Sequence, residues 1–263
     1  MTGSEIVQEG RGAWPGNGAG GTLSTDGTKP GRYYVLRSGD GPLVGALGTQ
    51  WPDNGDVGTY AVNRAVYHIQ RLLAKARYRT TSGLPLPVTG AFDIHTFRAV
   101  KLYQSRVGLA TDGVFGPKTS QHFFLPTVKA AYNSYGLDWK LGYGLVTTES
   151  AWDPGAVGYI DSNDLGLCQI NGPAHPEMDL EARLDPELSL VWQARQMSYL
   201  QNSLGTLRDA VAAYNLGLGG ARQWVKAGRP DLWVPPFDKS GRERDVAGYI
   251  DSILGAADRA GVS

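Results

Sequence analysis

Glu149 closes the run GLDWKLGYGLVTTES, in which Leu137, Leu141 and Leu145 stand four residues apart. The glutamate takes the next place on the same helical face. A carboxyl group set against apolar side chains is disfavoured in its charged form, so its pKa rises and it holds a proton near neutral pH. That is the state a general acid needs. An exposed glutamate at a helix end is the plain alternative, and this helix alone does not separate the two. Past Glu149 come Ser150, Trp152 and the stretch DPGAVGYIDSNDLGLCQIN, which holds Asp153, Asp161 and Asp164. A second carboxylate facing an acid can activate water. Asp and Asn also favour tight turns, and Asp153, followed by Pro154, reads as a turn former.

The other reactive side chains point to less. Cys168 is the single cysteine, so no internal disulfide can form. It reads as a small buried hydrophobe, because no His or Asn pattern accompanies it and only His175 lies near in sequence. A thiol nucleophile is disfavoured. His68, His95 and His122 fall on three separate predicted helices, at intervals that make no ligand motif. They read as satisfied or solvent-facing histidines, and neither a metal nor a cofactor is expected.

Those candidates need helices to hold them, and the chain supplies the pattern. Val62, Val66, Ile69, Leu72 and Leu73 recur at helical spacing. Asp93 reads as the N-cap of a helix with Phe97, Val100, Tyr103 and Val107 on its apolar side. Pro117 suits the first turn of a third helix. Between these helices a motif repeats: Gly90-Ala91-Phe92 with Thr96, and Gly113-Val114-Phe115 with Thr119. Each copy reads as a glycine turn, an aromatic plug and a helix start. Further on, Asp185-Pro186 and Thr206 to Asp209 read as helix starts. Tyr214 falls on the apolar side of a helix that is expected to stop at NLGLGG, leaving Asn215 near a loop. Val246, Ile250, Ile253, Leu254 and Ala257 form a closing amphipathic helix. The expected fold is mainly α.

Composition bounds the rest. The 25 basic and 25 acidic residues cancel, which argues against nucleic acid or an anionic membrane as partner. No apolar run approaches bilayer length, so no stable membrane insertion is expected. The first residues, MTGSEIVQEGRGAWPG, lack the pattern of a secretory signal, which predicts synthesis in a cytoplasm without the usual export route. Residues 10–31 are rich in Gly, Ser, Thr and Pro and read as a flexible arm. A short strand at Tyr33 to Leu36 and a turn at Ser38 to Gly41 are expected within residues 1–60, a segment of unknown fold.

Two resemblances then organise the chain. "IQRLL", "VTGAFDIHTFRAVKLYQSRVGL" and "ATDGVFGPKT", over residues 61–125, resemble the three-helix peptidoglycan-binding domain found beside wall-degrading enzymes. "ES" at Glu149-Ser150, "DLGLCQIN" at 164–171, "AVAAYNLG" at 210–217 and the closing "VAGYIDSIL" resemble the lytic transglycosylase and goose-type lysozyme superfamily, over residues 126–263. "YYVLRSGD" is similar to the opening of a LysM module, but the rest of that pattern is missing.

The second resemblance implies a lysozyme-like helical domain in which Glu149 is the catalytic acid. It also implies that Ser150, Gln169, Tyr214, Asn215 and Tyr249 orient the acid or the sugar. Cys168 stands where methionine is usual. Asp161 sits roughly where goose-type lysozymes carry a water-positioning aspartate, with Asp164 a second candidate. Asn171 replaces an aspartate often found after the glutamine turn, which weakens the hydrolase reading and favours transglycosylation. Aromatic faces suit pyranose rings, so Trp152, Trp224 and Trp233 are candidate sugar platforms; packing is their plain alternative. Arg195, Arg222 and Lys226 could meet substrate carboxylates or simply face solvent. The expected partner is bacterial peptidoglycan, cut at the MurNAc-GlcNAc β-1,4 bond. The setting resembles that of a bacteriophage lysin, either an endolysin or a virion tail-associated enzyme with phage proteins as further partners. A non-enzymatic wall-binding or virion structural protein on the same scaffold is the rival reading.

Overall fold

The computed structural model describes residues 22–23, 32–33, 57–158, 163–236 and 241–260. Two short strands, β1 (Thr22–Leu23) and β2 (Arg32–Tyr33), pair antiparallel, Thr22 opposite Tyr33 and Leu23 opposite Arg32. The rest of the strand expected at Tyr33 to Leu36, and the turn after it, lie outside the described residues.

Three helices follow: α1 (Val57–Lys75), α2 (Ile94–Val107) and α3 (Pro117–Ser134). The apolar periodicity holds, since Val62, Val66, Ile69 and Leu73 are fully buried. Asp93 caps α2, its carboxylate accepting from the Thr96 amide at 2.8 Å. The repeated motif closes in the same way twice, each time around a buried glutamine. Gln70 accepts from the Gly90 amide and donates to the Ala91 carbonyl and to Thr96 Oγ1. Gln104 accepts from the Gly113 amide and donates to the Val114 carbonyl and to Thr119 Oγ1. Phe92 and Phe115 are the buried plugs.

Helix α3 runs through Pro126 without a break. Proline removes one intrahelical donor, but Pro126 is exposed, so water can meet the carbonyl one turn back. Then come α4 (Trp139–Ser150), the hairpin β3 (Asp164–Leu165) and β4 (Ile170–Asn171), α5 (Leu180–Leu184) and α6 (Pro186–Leu204). Helix α7 (Leu207–Lys226), the pair β5 (Leu232–Trp233) and β6 (Arg244–Asp245), and α8 (Val246–Arg259) complete the order.

Contacts group the chain into two compact units: Met1–Phe124 with Glu149–Ser189, and Leu125–Thr148 with Leu190–Ser263. In the first, α1, α2 and the start of α3 share their unit with the stretch that begins at Glu149. In the second, α4 approaches its neighbours through glycines. A Cβ at Gly142 would strike the Tyr132 ring, and one at Gly144 the Ile253 carbonyl of α8. Helix α7 starts as the sequence predicts, with Thr206 capping the Asp209 amide at 3.1 Å. As expected, this first helical stretch stops within NLGLGG: Gly217, with φ 69° and ψ 160°, is non-helical backbone that suits glycine, and a second helical stretch runs on to Lys226.

Candidate functional site

Glu149 is half-buried at the last turn of α4, one residue before the buried Ser150. Beyond the helix the backbone turns sharply: Ala151 has φ 51° and Trp152 φ 68°. With Gln169 at φ 47°, these make three of the five non-glycine positive-φ residues among those described. Left-handed backbone at side-chain-bearing residues costs energy and gathers at functional sites. Here it gathers around the candidate acid and the turn that follows.

That turn is Gly166 to Gln169, the loop of the β3–β4 hairpin, in which Leu165 pairs with Ile170. It is tied to the strand of chain after Glu149. The Gly166 amide donates to the Ala156 carbonyl at 2.9 Å, and Gln169 Nε2 donates to the Gly166 and Ala156 carbonyls at 3.0 and 3.3 Å. Cys168 is fully buried in the turn. Burial pushes its thiol well above the ordinary range, a hydrogen bond with Ser189 opposes this, and the charge of Glu149 raises it further. Two conclusions follow. The Glu149 carboxyl stands close enough to the glutamine turn for its charge to be felt there, and Cys168 is no thiolate nucleophile at neutral pH.

Arg183, buried at 7% exposure on α5, braces the hairpin from behind. Its Nη1 donates to the Asn163 carbonyl at 2.8 Å, and a Cβ at Gly172 would lie 2.6 Å from that nitrogen. A Cβ at Gly166 would collide with its carbonyl. Burial lowers the Arg183 pKa, while Asp179 and Asp164 oppose the shift. Sequence reasoning missed this residue; the glycines at 166 and 172 were its only local sign.

Of the two second-carboxylate candidates, Asp161 lies outside the described residues. Asp164 accepts from Asn171 Nδ2 at 2.9 Å, and Asn171 Oδ1 caps the Ala174 amide at 3.1 Å. Both side chains thus do turn work. Trp152 is only 3% exposed, which makes it a packing residue of its unit and not the open sugar platform expected from sequence. A ring with no accessible face cannot stack on a pyranose.

The remaining candidates lie in the second unit. Tyr214 is half-buried on α7, and its hydroxyl accepts from Gln193 Nε2 at 3.2 Å. Gln193 is itself fully buried and accepts from the Tyr132 hydroxyl at 2.9 Å. Asn215 is exposed just before the Gly217 kink, where its carbonyl and its Oδ1 accept from Arg244 at 3.0 and 3.3 Å. Tyr249 is buried on α8. Trp224 is in the core with its indole nitrogen on the Pro230 carbonyl, whereas Trp233 keeps part of its surface exposed. Arg195, Arg222 and Lys226 face solvent.

The histidines divide. His122 Nδ1 meets the Tyr103 hydroxyl at 2.6 Å. His68 departs from expectation: it is 4% exposed, with Nδ1 3.5 Å from Asp185 and neither ring nitrogen in a hydrogen bond. Burial lowers its pKa to about 4, Asp185 acting against the shift and Arg64 and Arg71 with it. No group of three potential metal ligands occurs among the described residues, and no helix there is long and apolar enough to cross a membrane.

Comparison with known proteins places names on two segments. Residues 126–230 match the Transglycosylase SLT domain family, and residues 63–122 match the "Putative peptidoglycan binding domain" family. Similar curated proteins include the Membrane-bound lytic murein transglycosylase F of Serratia proteamaculans, 32% identical over 127 residues, with 42% of this chain and 25% of that protein covered. The protein of the same name from Hahella chejuensis is 34% identical over 123 residues, 42% of this chain and 24% of the relative. That from Idiomarina loihiensis is 31% identical over 114 residues, 39% and 25% respectively. The chain thus spans about a quarter of the length of these relatives. It carries a transglycosylase domain and a peptidoglycan-binding domain.

Proposed function

We propose that this chain is a peptidoglycan lytic transglycosylase that cuts the β-1,4 bond between N-acetylmuramic acid and N-acetylglucosamine. The observation that carries the reading is Glu149, half-buried at the end of α4 just before the left-handed turn at Ala151 and Trp152, inside the segment matched by the transglycosylase family. Its carboxyl group gives a proton to the bridging oxygen as the glycosidic bond breaks. The carboxylate left behind takes a proton from the 6-hydroxyl of the muramyl residue. That oxygen then closes on C1 to form a 1,6-anhydro ring, so no water is consumed.

Hydrolysis would need a second carboxylate to activate water. Asp164 is bonded to Asn171 within the hairpin, so in this reading Asp161 is the candidate for that carboxylate, and Asn171 in place of a second aspartate favours the intramolecular route. In this reading Ser150, Gln169, Tyr214, Asn215 and Tyr249 orient the acid or the sugar, and the peptidoglycan-binding helices hold the wall. The setting we propose is that of a phage lysin, acting at host lysis or carried in the virion; its peptides in purified virions would identify the second. The enzymatic reading is tested by release of soluble fragments from purified sacculi. Wild-type protein should release them and Glu149→Gln should not. Protein that sediments with sacculi and releases nothing would make the chain a wall-binding scaffold.

A further inference from the structure

We infer that the peptidoglycan-binding helices are part of the framework that positions the acid, so that they set turnover as well as adhesion. The inference rests on Glu149 being the acid. A binding module joined only as an adhesive would touch the cutting segment nowhere in particular. Here α1 and α3 reach the chain just after Glu149, and α1 reaches the corner that braces the glutamine turn.

The first route leads to the chain just after the acid. Ser120 on α3, 2% exposed, donates from its hydroxyl to the carbonyl of Trp152, the residue held at φ 68° three places past Glu149. Gly155 then lies on α1: a Cβ there would stand 3.3 Å from the Ala61 carbonyl and 3.3 Å from Ala65 Cβ. Ala61 and Ala65 are fully buried. The left-handed turn after the acid, closed locally by the Asp153 amide on the Ser150 carbonyl, is thus also held by one hydrogen bond and one close backbone approach from the binding-domain helices.

The second route leads to the glutamine turn. Tyr60, Arg64, His68, Arg71 and Lys75 lie three or four residues apart, one stripe of α1. They face Glu181, Asp185 and Glu187 at the α5–α6 corner. Tyr60 and Arg64 both bond to Glu181. Arg71 donates to Asp185 at 3.0 Å and to Glu187 at 3.1 Å, and Lys75 reaches Glu187 at 3.0 Å. Asp185 in turn caps α6 through the Glu187 amide at 2.8 Å. The corner so held carries Arg183, the residue that braces Asn163, Gly166 and Gly172 around the turn. The seam joins residues more than a hundred positions apart in sequence. A single exposed ion pair contributes little, but several that share partners and bury a stripe fix an orientation.

A misplacement of an acid by about 1 Å can cost ~10²-fold in rate, so loosening either route should appear in kcat. The test uses the full chain with Ser120→Ala for the first route and Arg71→Leu for the second. Folding is checked by circular dichroism and Tm, and Glu149→Gln is the control. Kinetics are read on soluble MurNAc–GlcNAc oligosaccharides free of peptide, and adhesion by sedimentation with sacculi. The expected result is a kcat lower by about tenfold in each folded variant, with sedimentation unchanged. Wild-type kcat in a folded variant, with any loss on sacculi following adhesion alone, overturns the inference. Should one variant fail to fold, the other decides. Failure of the acid itself looks different, because Glu149→Gln would then stay active.

Discussion

Gln193 donates its amide proton to the Tyr214 hydroxyl at 3.2 Å while accepting from Tyr132 at 2.9 Å. The glutamine is fully buried, so the pair of bonds fixes the tyrosine ring from beneath α7. Gln193→Leu removes the bonds to both tyrosine hydroxyls, and loss of a buried hydrogen-bond partner costs roughly 1–3 kcal/mol. Tm should fall, and kcat on soluble glycan should fall with it by about tenfold if Tyr214 orients the sugar. Gln193→Glu keeps the acceptor for Tyr132 and should recover stability more than turnover.

The charged seam gives the protein an acid-sensitive stability. His68 titrates near 4 in the folded chain against 6.5 ordinarily, because burial disfavours its cation. The unfolded chain binds the extra proton between those values, so the contribution is complete above about 6.5 and is lost as pH falls toward 4. Glu187 shifts down although burial alone would raise it, because Lys75 and Arg71 outweigh that effect. Its contribution is lost at still lower pH, in the same direction. Tm measured from pH 7 to pH 4 should drop in the wild type, and His68→Leu should flatten the slope above pH 4.

The twin glutamines predict a separate result. Gln104→Leu removes the three bonds by which this side chain holds the Gly113 amide, the Val114 carbonyl and Thr119 Oγ1. It should cost roughly 1–3 kcal/mol through the backbone groups left unmet. Gln70→Leu should do the same for the Gly90 turn, and thermal unfolding of both variants checks the parallel.

Much of this was visible in the letters, for reasons that are local. Apolar spacing set the faces of α1 and α8, and Asp93, Pro117, Asp185 and Thr206 announced helix starts because capping is settled within three residues. Glu149 and the Gly166 to Gln169 turn stand out in sequence by residue type and order alone. What stayed hidden was set by distant partners. Pro126 marked no end of helix, since its exposure, not its identity, decides whether the lost bond matters. Arg183, Gln193 and the α1 stripe answer to residues 20 to 121 positions away, and no periodicity encodes that. Trp152 reads in sequence as either platform or packing residue, because an aromatic near an acid is the same letter whether buried or open.

Acid catalysis by a carboxyl group requires no ion. Activity of the purified full chain on sacculi should be unchanged after dialysis against a chelator, measured as the rate of turbidity loss. A loss restored by zinc would point to a different chemistry.

The central claim is tested most directly by mass spectrometry of the muropeptides that the wild-type protein releases from purified sacculi. Ends lighter by one water, carrying 1,6-anhydromuramic acid, are predicted, with release reduced by about 10²–10⁴-fold in Glu149→Gln. Reducing ends in their place, or undiminished release by Glu149→Gln, would contradict the account.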